Sequence, residues 1–189
     1  AQYDEIYCEW APNEKVAMEV AFGAALAGKR SACVMKHVGL NVAADPLFTI
    51  AYTGVNAGMV ICVADDPGMH SSQNEQDSRH YAVSAKIPML EPADSAEARD
   101  FAKRAFELSE EYDTPVFLKL CTRISHSQSI VEMGQRVEPA RRPYEKDIAK
   151  YVMVPGNARP RHPIVEGRTR RLTAFAETTD LNREEMGED

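Results

Sequence analysis

Hydrophobic positions along the chain fall into short continuous runs divided by polar turns, and the runs alternate between helical and strand-like lengths. From Val16 to Ala27 nearly every position is apolar or small, the pattern of a helix buried on all sides. Pro12 and Asn13 mark its start, with Asn13 suited to cap free backbone N–H groups. Gly28 marks its end, as a glycine just past a helix usually does. Residues 31–35 then read as a central strand, and residues 36–41 as a polar loop with a glycine. Residues 43–55 read as a second, largely apolar helix, and 58–64 as the clearest strand in the chain. Residues 65–77 carry only loop and turn chemistry. A short helix is expected at about 76–83 and a third strand at 87–90. An amphipathic helix over 95–112 turns Ala98, Phe101, Ala102, Ala105, Phe106 and Leu108 inward, capped by Asp94 or Ser95. Residues 115–120 form a fourth strand.

Alternating short apolar strands and helices imply an α/β fold, a mainly parallel sheet with helices on both faces in three α/β/α layers. Ligands in such folds sit at the carboxyl ends of the strands. Three polar loops fall there: 36–41, 65–77 and 121–129. After Ser129 the chain becomes charged and irregular, with a further loop at 155–160. Helical spacing returns over 162–177, where Ile164, Leu172 and Phe175 are available for packing, and 187–189 is a polar end. The expected division is a domain over 1–130 and a linker with a helical tail over 131–189, too poor in apolar residues for a second core.

Composition narrows the classes. The 189 residues are 44% hydrophobic and 27% charged, ordinary for a globular domain. A net charge of -7, with no basic stripe interleaved with aromatics, argues against nucleic acid. No apolar run approaches the ~20 residues of a membrane span, and the start lacks the basic and apolar regions of a signal peptide. Cys8, Cys33, Cys62 and Cys121 are widely spaced, which disfavours a disulfide framework or a zinc site and points to the cytoplasm.

Candidate chemistry begins with Glu14, an acid in the first turn of an otherwise apolar helix. Two readings stand side by side there: an ordinary acid complementing the helix dipole, or a functional carboxylate at the mouth of a buried helix. Neither GxGxxG nor GxxxxGK[ST] occurs, so a self-sufficient dinucleotide or P-loop site is not expected, and GxSxG is missing too. Asp65, Asp66, His70, Glu75, Asp77 and His80 are dense, yet their spacing matches neither HExxH nor an EF-hand loop, and turn chemistry explains them.

Three longer stretches carry a resemblance. Glu14-Lys15-Val16-Ala17 running through Gly23 to Gly28 is the first. Met35-Lys36-His37-Val38-Gly39-Leu40-Asn41-Val42-Ala43-Ala44-Asp45-Pro46-Leu47 is the second. The third is Ala64-Asp65-Asp66-Pro67-Gly68-Met69-His70-Ser71-Ser72-Gln73-Asn74-Glu75-Gln76-Asp77, with Ala85-Lys86-Ile87-Pro88-Met89-Leu90-Glu91-Pro92 beyond it and, in the tail, His162-Pro163-Ile164-Val165-Glu166 and Leu181-Asn182-Arg183. Together they resemble the N-terminal region of the indolepyruvate:ferredoxin oxidoreductase alpha-subunit family, within the 2-oxoacid:ferredoxin oxidoreductase superfamily. The resemblance spans essentially the whole chain.

That resemblance implies a thiamine-diphosphate-binding fold, here the pyrimidine-binding domain. It implies oxidative decarboxylation of an aryl 2-oxoacid to the aryl-acetyl-CoA, with electrons passed through iron–sulfur clusters to ferredoxin. By this likeness Glu14 is the carboxylate that partners N1′ of the aminopyrimidine and favours its imino tautomer, and Gly39 is a cofactor-binding position. Lys36, His37 and His70 fall in loops that hold substrate, where they are expected to bind the 2-oxoacid carboxylate or steady charge. Arg123 and His126 are more distant candidates, for which a surface role is the simpler reading. The superfamily arginine that binds the carboxylate has no counterpart at Asp65-Asp66-Pro67-Gly68. No GDG pattern with a downstream Asn is present to hold the diphosphate through Mg²⁺, and no ferredoxin-type cysteine cluster occurs. The chain is therefore expected to be a fragment or isolated domain giving half of an active site. Its expected partners are a diphosphate-binding domain of the same or a neighbouring subunit, a beta subunit, ferredoxin and CoA. Two alternatives remain: a non-catalytic scaffold of the same fold, and the pyrimidine-binding subunit of a two-chain thiamine-dependent 2-oxoacid decarboxylase.

Overall fold

The computed structural model describes residues 5–184 and 186–187, so the first four residues and the last two of the polar end lie outside it. In chain order the elements are α1 (Glu14–Leu26), β1 (Ser31–Lys36), α2 (His37–Val42), α3 (Ala44–Thr53), β2 (Met59–Asp65) and α4 (Arg79–Ala85). There follow β3 (Met89–Leu90), α5 (Ser95–Tyr112), β4 (Val116–Cys121), α6 (Thr122–His126), α7 (Ile148–Tyr151) and α8 (Pro155–Thr178). The four strands form one sheet in the order β1-β2-β4-β3, and every neighbouring pair is parallel. This is the expected α/β architecture.

Register sorts the side chains into two layers. Cys33, Ile61 and Phe117 stand side by side and face a core built with Met18, Ala21 and Ala25 of α1, Leu47 and Ile50 of α3, and Ala82 and Ala85 of α4. Each fully buried Met or Leu there contributes about 1.5–3 kcal/mol. Val60, Val116 and Leu118 face the other way, onto Ala105 and Leu108 of α5. That second layer stops short. Val34 shares the face of Cys62 and Leu118, yet it is 74% exposed at the β1 edge of the sheet.

Local signals account for the element ends. Asn13 accepts a hydrogen bond from the Val16 N–H at 3.0 Å, and Asp94 accepts from Ala96 and Glu97 to start α5. Gly28 takes φ +84° while the Lys29 N–H reaches back to the Ala24 carbonyl, closing α1. A β-carbon at Gly28 would lie 1.9 Å from the Arg142 carbonyl oxygen, so the crossing linker needs the glycine as much as the turn does.

Several sequence expectations are corrected. α1 is not buried all round: Val20 is half exposed and Gly23 opens on free space. Residues 36–41 are not a loop. Lys36 closes β1 and the rest enter α2, where His37, Gly39 and Leu40 are buried, because packing overrides the poor helix propensity of this stretch. The second helix is shorter than expected, breaking at Ala43, and the helix placed at 76–83 runs Arg79–Ala85. Residues 155–160 are not a loop but the first turns of α8, which opens on Pro155. A proline fits the first helical position. Pro160 and Pro163 lie inside the same helix, held there by what its arginines do.

Arg168, only 1% exposed, donates to the Ala51 carbonyl at 2.6 Å and the Asp113 carbonyl at 2.8 Å. Arg161 donates to the Tyr52 and Thr53 carbonyls and to the Asp113 carboxylate, which also meets Lys150 at 2.9 Å. Two guanidinium groups thus satisfy the free carbonyls at the end of α3, where the helix dipole favours positive charge. Nearby, Arg142 donates to the Asn56 carbonyl and Asn56 to the Pro143 carbonyl. All these ties lie where strands begin. The tail clamps the amino end of the sheet, and the carboxyl end is left to the loops.

Candidate functional site

Glu14 is the first residue of α1 and is half buried. Its side chain rests on the backbone of Gly39: a β-carbon there would lie 2.5 Å from Cγ, 2.7 Å from Oε1 and 2.8 Å from Cδ of Glu14. The absent side chain of Gly39 is the seat of the carboxylate. Among the described residues no hydrogen bond or ion pair engages that carboxylate, whereas its neighbour Lys15 pairs with Asp45 at 2.7 Å. An acceptor held by packing, at a positive helix end and free of protein donors, is fitted to receive an N–H from a ligand.

The junction of β1 with α2 and the loop after β2 are laced together beside this cradle. Lys36 donates to Gln73 Oε1 at 3.2 Å, a neutral partner, and no carboxylate pairs with it among the described residues. His37 is buried, its Nε2 lies 3.0 Å from the Asn74 carbonyl oxygen, and its Nδ1 has no partner.

His70 belongs to a different part of the rim. Its Nδ1 lies 3.3 Å from Asp66 Oδ1, and Asp66 also accepts from Thr122 Oγ1 at 2.6 Å and from the Ser71 N–H at 2.7 Å. Those bonds, first the Thr122 hydroxyl and then the Ser71 amide, hold the Asp66 carboxyl well below the usual carboxylate range. They also stitch the loop after β2 to the start of α6. Between them opens a cleft of about 350 Å³ lined by Pro67, His70, Cys121, Thr122, Arg123 and His126. No acid lines it. Arg123 and His126 are exposed and without partners among the described residues. The roomier cleft, about 420 Å³ between α3 and the start of α8, contains none of the predicted site residues.

The structure thus joins Glu14 to Gly39, ties Lys36 and His37 to the second loop, and places His70 with Arg123 and His126. Sequence reasoning missed Gln73 and Asn74 as the partners that bind the loop after β2 to Lys36 and His37. It also missed Lys119, buried in the sheet, which meets Glu91 at 2.6 Å and Asp65 at 3.9 Å. Burial opposes ionisation of Glu91, but hydrogen bonds from Lys119 and Arg79 outweigh it and lower its pKa. A lysine inside an apolar strand run was the available signal. The other acids of residues 65–77 serve the loop itself: Asp65 accepts from the Ser78 N–H, Glu75 from Gly68 and Asp77 from Arg79. Among the described residues no three His, Cys, Asp or Glu side chains group to hold a metal ion.

A parallel sheet whose carboxyl rim carries these loops, with a carboxylate seated on a glycine at a helix start, defines a cofactor-binding α/β domain. The comparisons with known proteins agree. The chain belongs to the thiamine-diphosphate-binding family described as "Pyruvate flavodoxin/ferredoxin oxidoreductase, thiamine diP-bdg", whose model matches residues 3–187. It is 51% identical over 179 residues to the indolepyruvate oxidoreductase subunit IorA of Methanothermobacter thermautotrophicus, covering 94% of this chain and 29% of that protein. The IorA subunit of Archaeoglobus fulgidus is 45% identical over 186 residues, 97% of this chain and 30% of the relative. The chain therefore spans under a third of the length of these relatives. Among solved structures, a 2-oxoglutarate:ferredoxin oxidoreductase from Magnetococcus marinus, with 2-oxoglutarate, coenzyme A and succinyl-CoA bound, superposes with a TM-score of 0.63. That match covers 87% of this chain and 36% of the other at 15% identity, and so speaks for the fold.

Proposed function

We propose that this chain supplies the pyrimidine-binding half of a thiamine-diphosphate-dependent oxidoreductase acting on aryl 2-oxoacids such as indolepyruvate. The observation that carries the reading is the Glu14 carboxylate seated on Gly39 without a protein donor. Residues 1–130 form the cofactor half-site, and 131–189 are the linker and tail leading onward. Thiamine diphosphate, when bound, would supply the carbon nucleophile that a 2-oxoacid needs. Glu14 accepts the hydrogen bond from pyrimidine N1′ and so fixes which nitrogen of the ring carries the proton. Lys36 and, in the cleft beside His70 and His126, Arg123 offer the positive charge that a 2-oxoacid carboxylate needs.

The reaction is oxidative decarboxylation to the aryl-acetyl-CoA with electrons passed to ferredoxin. The diphosphate and its Mg²⁺ are held by a domain of the same or a neighbouring subunit, and the iron–sulfur clusters lie elsewhere in the enzyme. A beta subunit and CoA complete the set of partners, in the cytoplasm. Among the described residues no helix is long and apolar enough to cross a membrane.

The test is calorimetry with thiamine diphosphate and Mg²⁺ on this chain alone and on the chain joined to its diphosphate-holding partner, followed by an arylpyruvate assay. Tight binding only in the joined form, its loss in Glu14→Ala, and turnover that requires both CoA and an electron acceptor are expected. Turnover without CoA or acceptor would make this half of a simple decarboxylase, and no binding in either form would leave a scaffold.

A further inference from the structure

Lys119 is a buried cation on an inner strand of the sheet. Register sets it in a row with Val63 and Met35, and both of those neighbours are apolar. Alternation along β2 turns Val63 and Asp65 to the same face. On that face Lys119 Nζ lies 3.9 Å from Asp65 Oδ2 and 2.6 Å from Glu91 Oε1. The side chains of Lys119 and Asp65 are 5% and 3% exposed, and neither lines the two clefts, so neither is open to a ligand. Taking two charges out of water is expensive, and apolar residues of the same volume in such a place are often as stable or more so. Stability is therefore a weak reason for a lysine here, and what the pair holds is the better guide.

Both acids grip the exit of the loop after β2. Asp65 accepts from the Ser78 N–H at 3.0 Å and from the Ser78 hydroxyl. Glu91 accepts from Nε and Nη2 of Arg79, the next residue, at 3.1 and 3.2 Å. Lys119 stands behind both carboxylates and compensates them together. No residue from 67 to 77 is buried, so this loop has no apolar anchor and keeps its shape through polar bonds. Its far side carries Gln73 and Asn74, which meet Lys36 and His37. We propose that Lys119 is a positioning residue for the 2-oxoacid: through Asp65 and Glu91 its charge fixes the exit of the loop, and the loop in turn holds Lys36 for the carboxylate. The link to the 2-oxoacid rests on the functional reading above. Without the ammonium, Asp65 and Glu91 are like charges around the place it vacated, and the exit loosens.

Lys119→Met continues the apolar row and removes the charge. Hydrogen exchange of this chain, read by mass spectrometry, should show residues 66–78 exchanging about tenfold faster while β1, β2 and α5 keep wild-type protection. In the joined form the KM for an arylpyruvate should rise about tenfold with kcat within about threefold, the mark of lost binding and intact chemistry. Ser78→Ala leaves both charges in the sheet and takes only the hydroxyl bond from Asp65. It should move the same two readouts the same way by less, and the double variant should add little to Lys119→Met. A lysine with a merely structural role would raise exchange throughout the chain and lower the melting temperature without parting KM from kcat. That result overturns the proposal, as does wild-type exchange over residues 66–78 in both variants, or a loosened loop with an unchanged KM. If the wild-type joined form turns over no arylpyruvate, the functional reading falls and takes the link to the 2-oxoacid with it. Exchange over residues 66–78 then still decides whether Lys119 holds the loop.

Discussion

Glu14 and Gly39 share one space: the Glu14 side chain occupies the volume that any β-carbon on residue 39 would claim, 2.5 Å from Cγ. Gly39→Ala must therefore push the carboxylate off its seat or shift the turn of α2. The expected result is a loss of about 1–3 kcal/mol of stability from overpacking and at least tenfold weaker cofactor binding. Urea unfolding and calorimetry on the same sample check both. A variant that binds as wild type would show that the seat is not used.

Glu14→Gln keeps the volume and removes the charge. With the carboxylate setting the protonation of the cofactor ring, turnover of the assembled enzyme should fall about 10²–10⁴-fold. Stability should stay within about 0.5 kcal/mol, as for a side chain with no protein partner to lose. Steady-state kinetics beside thermal melts decides.

The sheet was legible because its strands are apolar on both faces, and α5 because 18 residues repeat one apolar stripe. Asn13 and Asp94 announced their helices by cap chemistry alone. α2 was not legible: Gly39 and the β-branched Val38 argue against a helix, and only burial against α1 and the sheet makes one. α8 hid behind Pro160 and Pro163, because its stability comes from Arg161 and Arg168 reaching carbonyls more than a hundred residues earlier. Glu14 was visible as an acid in an apolar helix, whereas its seat depends on a contact between residues 25 positions apart. Gln73 and Asn74 carried no signal, since a loop's cross-bonds have no periodicity.

Asp66 gives the chain an acid limb. Its folded pKa lies below the ordinary aspartate value of about 3.9, so the unfolded chain takes up the proton first as pH falls. The stabilisation is complete above that ordinary value and is lost as pH falls through the folded one. Asp66→Asn should melt lower at pH 7 and converge on wild type at strongly acidic pH. Melting curves across pH test this, and parallel curves would exclude it.

Thiol chemistry should follow burial. Cys8 is exposed, whereas burial pushes the Cys33 thiol up to about 12. In the native chain at pH 8 an alkylating reagent should label Cys8 within minutes and leave Cys33 unmodified until denaturant is added. Peptide mapping by mass spectrometry reads both.

Arg168 joins α8 to two other elements through the Ala51 and Asp113 carbonyls, and burial lowers its pKa to about 10. Arg168→Ala strands both acceptors and should cost about 2–4 kcal/mol. Arg168→Lys should recover only part, since an ammonium cannot span two carbonyls as a planar fork does. Denaturant midpoints with an unchanged slope would support this account.

The bare flank of β1 bears on how this molecule behaves in a tube. A strand outermost among the described residues, with Val34 turned to water, is a template for another such strand. What opposes that pairing is mutual repulsion between copies that each carry a net charge of -7. Salt shortens the reach of the repulsion to about 8 Å at physiological strength while leaving the sticky edge untouched. Solubility of the isolated chain should therefore fall as ionic strength rises, and dilute buffer should keep it dispersed.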